Sequence, residues 1–332
     1  MADNSRQMKA VRFEKTGPSS VLTVVDVPIN NPGPDQVLVR VHAAGLNPVE
    51  VLIRSGFFPV PPSVQIIGTD AAGVVAEVGS NVKDYKKGDR VVIYAKSPAY
   101  QSGTYAQYFL ADPDMLFHLP EKYSFEDGAS LGIPFLTAYY NIVLLARAKA
   151  GEVVLVNGAS GATGLYAIEV ARAMGCKVIG TAGHENGLAL IAEKGATAVS
   201  YKASDLMEQI KAAAGPNGVD IVLETKPSNL ANDLELLAPL GRVLLISASG
   251  KVDQVNLGPV LFKQLNIRGS SCFGATAAHY KLMRVGLEDA LKAGAIKPVI
   301  QKVYKLDEIV QAHDDLEHNP VGVAGKLVLD LS

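Results

Sequence analysis

Apolar and polar residues alternate over residues 36–43, where Val37, Val39 and Val41 are set against Leu38, Arg40 and His42. A period of two marks a half-buried strand. Short apolar runs at 8–13, 21–27, 73–78, 90–94 and 105–111 read as further strands. Gly17-Pro18, Pro28, Pro32-Gly33-Pro34, Gly79-Ser80-Asn81 and Lys86-Lys87-Gly88-Asp89 punctuate them. Many short strands with glycine and proline turns predict a small barrel or folded sheet. The pattern changes at Ser124, placed as an N-cap with Asp127 in a loose capping box, and a helical stretch runs to about Ala148.

A regular alternation follows. Strands are predicted at 153–157, 177–180, 198–201, 220–224, 242–247 and 266–269, with helices at 164–174, 186–194, 204–213 and 229–238 joining the first five. Interleaving of this kind means crossover units and a parallel sheet. Six strands complete a doubly wound dinucleotide fold. The tail reads as a helix over 276–293, a strand over 299–304, a helix over 306–317 and a strand over 326–331. Lying beyond the sixth strand, it is expected to rejoin the first domain. The fold class is therefore α/β: a β-rich domain of residues 1–124 and 275–332, with a doubly wound domain, 125–274, inserted into it. A cleft between the two is the expected place for ligands.

The run Val153-Val154-Leu155-Val156 ends in Asn157-Gly158-Ala159-Ser160-Gly161-Ala162-Thr163-Gly164, with glycines three residues apart. Strand, glycine loop and helix form a pyrophosphate site, because the backbone comes close and the helix start aims N–H groups at the anion. Sites that prefer NAD carry an acid at the end of the second strand. Here that end reads Ile179-Gly180-Thr181-Ala182-Gly183-His184, and Glu185 comes late, as the start of the next helix. Lys202, at the end of the third strand, is placed to meet a 2′-phosphate, so NADPH is the expected cofactor.

Composition narrows the function further. The chain has 332 residues, enough for two cores, and 48% of them are hydrophobic. A net charge of −2 with no basic stripe argues against an electrostatic nucleic-acid surface. Two distant cysteines, Cys176 and Cys272, exclude a disulfide framework and point to a reducing compartment. The N-terminus lacks the apolar core of a signal peptide and no apolar run suits a membrane span, so a soluble cytoplasmic protein is expected. The six histidines are scattered, and His313 and His318 miss the i, i+4 spacing of helix-borne ligands, so no metal is expected. Ser160 fails as a nucleophile elbow because Ala162 stands where the second glycine belongs. No pair of carboxylates announces itself as an acid–base couple. The chemistry is expected to come from the cofactor.

These stretches resemble the medium-chain dehydrogenase/reductase superfamily over essentially the whole chain, and within it the zinc-free quinone oxidoreductases, in the branch of zeta-crystallin. The likeness is carried by Ala44-Gly45-Leu46-Asn47-Pro48-Val49-Glu50, Ile53-Arg54-Ser55-Gly56, Gly68-Thr69-Asp70-Ala71-Ala72-Gly73-Val74, Lys87-Gly88-Asp89-Arg90-Val91, Gly132-Ile133-Pro134-Phe135-Leu136-Thr137-Ala138-Tyr139, Asn157-Gly158-Ala159-Ser160-Gly161 and Gly180-Thr181-Ala182-Gly183. Zinc alcohol dehydrogenases of the superfamily have a cysteine ligand where Asn47 stands and Gly-His-Glu in place of Gly68-Thr69-Asp70. The resemblance implies a GroES-like catalytic domain with an inserted Rossmann domain, NADPH without zinc, a quinone acceptor and a cytoplasmic homo-oligomer, tetramer or dimer. It implies that Ser160, Gly161, Ala162 and Thr163 hold the pyrophosphate and that Gly183 and Lys202 flank the ribose phosphate. Ser228 or Asn229 lies near the cofactor on this reading. Ser247, Ala248, Ser249, Gly250, Ser271, Cys272 and Phe273 line the nicotinamide half. Leu52 counts with the cofactor-binding residues, and Asn47 faces nicotinamide and quinone as the catalytic residue. Four departures stand out: Ala162 in the loop, Leu52 and Phe58 where relatives often have tyrosine, and Ser247 where the family has glycine. Two other readings share the resemblance: reduction of an enal or enone double bond, and a structural or AU-rich-RNA-binding role, the latter unsupported by charge.

Overall fold

The computed structural model describes residues 6–58, 66–96, 102–247, 252, 254–318, 322 and 324–332. Contacts divide the chain into two units, one of residues 1–133, 288–321 and 326–332, the other of 134–287 and 322–325.

The first unit is built on β-structure. Strands β1 (Gln7–Arg12) and β2 (Thr23–Pro28) form an antiparallel ribbon. Next come β3 (Val37–Gly45), helix α1 (Pro48–Arg54), β4 (Asp70–Val78), β5 (Arg90–Tyr94), β6 (Tyr108–Ala111) and β7 (Leu116–His118). Strand β3 is the centre of the main sheet, pairing β4 along its length and β6 at one end. Its alternation is visible in the packing: Val37, Val39 and Val41 are fully buried, and Arg40 is exposed. Leu38 is buried as well, so the strand is covered on both faces near its start.

The expected single helix after Ser124 is broken. It forms α2 (Phe125–Ala129), α3 (Gly132–Tyr139) and a π-helical turn over Tyr140–Leu145. The capping box is present, with Ser124 Oγ accepting from the Asp127 N–H at 3.0 Å. The break falls at Ser130-Leu131, and α3 opens with Gly132-Ile133-Pro134, where Pro134 has no N–H and the Ile133 N–H is drawn off to Asp70 at 2.6 Å.

The second unit holds β8 (Val153–Val156), α4 (Ala162–Ala173), β9 (Lys177–Ala182), α5 (Glu185–Glu193), β10 (Thr197–Ser200), α6 (Leu206–Ala214), β11 (Val219–Glu224), α7 (Leu230–Leu236), β12 (Leu237–Leu245), α8 (Gly258–Phe262) and β13 (Asn266–Gly269). All pairs are parallel, in the order β10-β9-β8-β11-β12-β13. The order reverses between β8 and β11, and ligands of such sheets bind beyond the strand ends at that point. Strand β8 is buried throughout, as a central parallel strand must be. The predicted helix of 229–238 ends early, because Leu237 opens β12 and Pro239 cannot continue a helix.

Helix α9 (Ala277–Ala293) leads back to the first unit. There β14 (Ile300–Lys305) and, after helix α10 (Ile309–His318), β15 (Lys326–Asp330) complete the main sheet, with β15 antiparallel to β3 over residues 43–45. Among the described residues no helix is long and apolar enough to cross a membrane.

Leu155 sits at 0% exposure in the centre of the second unit's sheet. Leu155→Ala is expected to destabilise that unit by about 3 kcal/mol, read as a lowered midpoint in denaturant unfolding.

Candidate functional site

The glycine loop leaves β8 through Asn157 and enters α4 at Ala162. Gly158 has φ +69°, and a Cβ there would meet Thr225 Oγ1 at 2.6 Å, so only glycine fits. Gly161 is the N-cap. The first turn of α4, with no preceding carbonyls to take its N–H groups, presents donors and the positive dipole end where an anion binds. Ala162 opens the helix and is not among the residues with positive φ, so its methyl group causes no backbone strain. Ser160 is buried, its carbonyl accepting from the Gly325 N–H at 2.8 Å, and Gly161 pairs with Gly325.

One side chain ties this loop to three neighbours. Asn157 Nδ2 donates to Glu224 Oε2 at 2.6 Å and Asp233 Oδ1 at 3.1 Å. Its Oδ1 accepts from Thr181 Oγ1 at 3.1 Å, and that hydroxyl accepts from the Gly158 N–H at 3.2 Å. Glu224 and Asp233 are 0% and 1% exposed. Burial, then the charge of Glu224, pushes the Asp233 carboxyl up to about 9. Asp233 therefore keeps its proton at neutral pH, which lets it face the same amide as Glu224.

The expected cofactor residues fall at the strand ends of this unit. Gly183 follows β9, with the Tyr201 ring against its Cα, and Lys202 is exposed just past β10. Glu185 is the first residue of α5, where its carboxylate favours the helix dipole. Ser228 is exposed and Asn229 half-buried in a short turn, with Asn229 Nδ2 donating to Glu224 at 3.3 Å. Ser247 is half-buried beyond β12; Ala248, Ser249 and Gly250 lie outside the described residues. Ser271 is exposed, Phe273 half-buried, and Cys272 buried with its Sγ accepting from Thr137 Oγ1 at 3.5 Å.

The first unit holds a second cluster, which the carboxylate search in the sequence missed. Asn47 caps α1, Pro48 takes the first helical position, and Glu50 closes a capping box, its Oε2 accepting from the Asn47 N–H at 2.6 Å. Asn47 Nδ2 donates to Asp70 Oδ2 at 2.9 Å and Thr69 Oγ1 at 3.2 Å. Thr69 donates to Glu50. The Lys326 ammonium, from the start of β15, donates to Asn47 Oδ1 and, at 3.2 Å, to Asp70 Oδ2. Asn47, Glu50, Thr69, Asp70 and Lys326 are each at most 3% exposed. Burial pushes Glu50 up to about 7 and raises Asp70, while it lowers Lys326. Asn47-Pro48-x-Glu50 was the legible signal; nothing in the spacing pointed to Lys326. Leu52, on α1, is half-buried.

Zinc does not fit this donor set. Among the described residues no group of three His, Cys, Asp or Glu side chains can hold a metal. The oxygens that would face an ion, Asn47 Oδ1 and Asp70 Oδ2, already bind an ammonium group.

A doubly wound sheet joined to a β-rich unit is the architecture of a two-part dehydrogenase, and known proteins agree. Residues 33–121 match the alcohol dehydrogenase GroES-like domain and residues 162–286 the zinc-binding dehydrogenase family. A quinone oxidoreductase of Rattus norvegicus is 40% identical over 99% of both chains. A crystal structure titled NAD-dependent alcohol dehydrogenase superposes with a TM-score of 0.90 at 30% identity, covering 98% of this chain and 100% of that one. The Escherichia coli quinone oxidoreductase complexed with NADPH gives 0.85 at 31% identity, covering 97% and 99%. The chain belongs to the quinone oxidoreductase family of the medium-chain dehydrogenase/reductases, and it is an oxidoreductase.

A carboxyl that keeps its proton in the fold but loses it in the unfolded chain weakens the fold increasingly as pH rises from the unfolded pKa, about 4, to the folded one, and no further above it. For Asp233 the folded value is about 9. Asp233→Asn is therefore expected to gain stability over the wild type progressively across that window and to level off above it, as read by thermal unfolding at a series of pH values.

Proposed function

We propose that the chain is an NADPH-dependent quinone reductase that works without zinc. The observation that carries this reading is the loop Gly158–Gly164, held at the switch point of the parallel sheet, with an acid-free strand end at Ala182-Gly183 and the exposed Lys202 beside it. Full-length likeness to quinone oxidoreductases supports the acceptor class.

NADPH, when bound, supplies the hydride and both electrons. The α4 start, over Ser160, Gly161, Ala162 and Thr163, holds the pyrophosphate. Gly183 and Lys202 flank the adenosine ribose, and Lys202 meets its 2′-phosphate as a point charge. Ser228 or Asn229, and Ser247 to Gly250 with Ser271, Cys272 and Phe273, bind along the rest of the dinucleotide. On this reading Asn47, the N-cap of α1, is the residue that meets the acceptor, and Leu52 counts with the cofactor-binding residues. The two hydrogens of Asn47 Nδ2 are shared among Asp70, Thr69 and, at 3.4 Å, Glu50, so donation to an acceptor oxygen requires release of one of these bonds.

The chain works as a homo-oligomer on this proposal. Among the described residues strand β13 closes the second unit's sheet with a neighbour on one side only, and the preceding α8 exposes Leu261 and Phe262 at 73% and 84%. Such a face invites a second copy. Both cysteines are free, which suits a cytoplasmic setting.

In a steady-state assay with a quinone panel, NADPH oxidation is expected to exceed NADH oxidation, and Lys202→Glu to reverse that preference mainly through KM for NADPH. Absence of turnover with every quinone would sink the proposal. Phe262→Glu is expected to shift the molar mass by light scattering toward one chain.

A further inference from the structure

We propose that Lys326 is the built-in cation of the reduction site, a positioning residue that fixes Asn47 and Asp70 and sets positive charge where negative charge develops on the acceptor oxygen. The inference rests on the quinone-reducing reading.

A lysine at a strand start ordinarily extends its stem to put the ammonium in water. Lys326 does the reverse and is 3% exposed. Its path inward is built for it. Gly45 faces the stem, and a Cβ at that position would come within 2.7 Å of Lys326 Cε. At the far end the ammonium meets Asn47 Oδ1 and Asp70 Oδ2. The other oxygen of Asp70 takes the Ile133 N–H, so Asp70 is satisfied on both sides. With Oδ1 turned to the ammonium, the Asn47 amide has a single orientation, its donors toward Thr69 and Asp70.

The place matters as much as the burial. Asn47, Thr69 and Asp70 are the positions at which zinc dehydrogenases carry Cys and Gly-His-Glu, and here an ammonium lies against two of them. The preceding residue, Gly325, is held by the nucleotide loop through the 2.8 Å bond from its N–H to the Ser160 carbonyl.

In the reaction a C–H bond of the nicotinamide breaks and its hydrogen leaves with the electron pair to bond to the quinone. NADPH is oxidised to NADP⁺ and the quinone is reduced to a hydroquinone monoanion, which takes one proton from water. Lys326 keeps its own protons throughout. A fixed positive charge in a dry site stabilises an anion that forms beside it without reorganisation.

The competing account is that Lys326 only neutralises Asp70. Lys326→Met and the double variant Lys326→Met/Asp70→Asn separate the two. The single variant is expected to lower kcat with a quinone by about a hundredfold. The double variant is expected to stay as slow, although it has no unpaired carboxylate and so carries the test even if the single variant fails to fold. NADPH affinity, from fluorescence titration, is expected to remain that of the wild type in both. Wild-type protein dialysed against zinc and then buffer is expected to retain no stoichiometric metal. Recovery of kcat in the double variant overturns the proposal, as does a stoichiometric zinc ion in the wild type. A wild type that turns over no quinone overturns the functional reading and this inference with it; a normal wild type with an unimpaired Lys326→Met overturns the inference alone.

Discussion

A carboxylate cannot sit at zero solvent exposure without donors and a cation arranged around it, and Asp70 imposes that demand on the whole first unit. Its partners come from distant parts of the chain: Asn47 at the start of α1, Ile133 at the start of α3, Lys326 at the start of β15. Strand β3, which pairs with both β4 and β15, brings the three starts to one end of the sheet. The same demand explains why the helix predicted after Ser124 breaks where it does. Asp70 withdraws the N–H of Ile133 from any helix that would include residue 129, and the next residue is a proline.

The second unit repeats the principle with a different chemistry. Asn157 stands where a glycine loop needs its first residue anchored, and its amide joins the ends of β8, β9 and β11 through Thr181 and Glu224. Burial and the charge of Glu224 raise the Asp233 carboxyl, so it faces the shared amide as a protonated acid. Rigidity at the phosphate-binding turn is thus obtained from the hydrogen bonds of one amide.

Much of this architecture was legible from pattern alone. The central parallel strands stood out as short apolar runs set between helices, because a strand covered on both faces has no choice but to be apolar. The alternation of 36–43 gave β3. Elements without such a signature were missed: β7, three residues long, α1, whose helix start lies in Asn47-Pro48, and α8, whose Leu261 and Phe262 are exposed where a periodic pattern would bury them. The nucleotide loop was readable because its chemistry resides in backbone and spacing. The Asp70 cluster was not, because its chemistry resides in residues 256 positions apart brought together only by sheet pairing.

The first unit is discontinuous. Its sheet lacks β14 and β15 until residues 300–330 are available, and Asp70 lacks its cation for as long. The second unit, apart from four residues, is one continuous segment with mostly local crossovers. On a ribosome, where the chain emerges from its N-terminus, the later segment would therefore reach its native sheet first. The segment made earliest must wait, its apolar β3 and β4 exposed to chaperones, for the last strand to arrive.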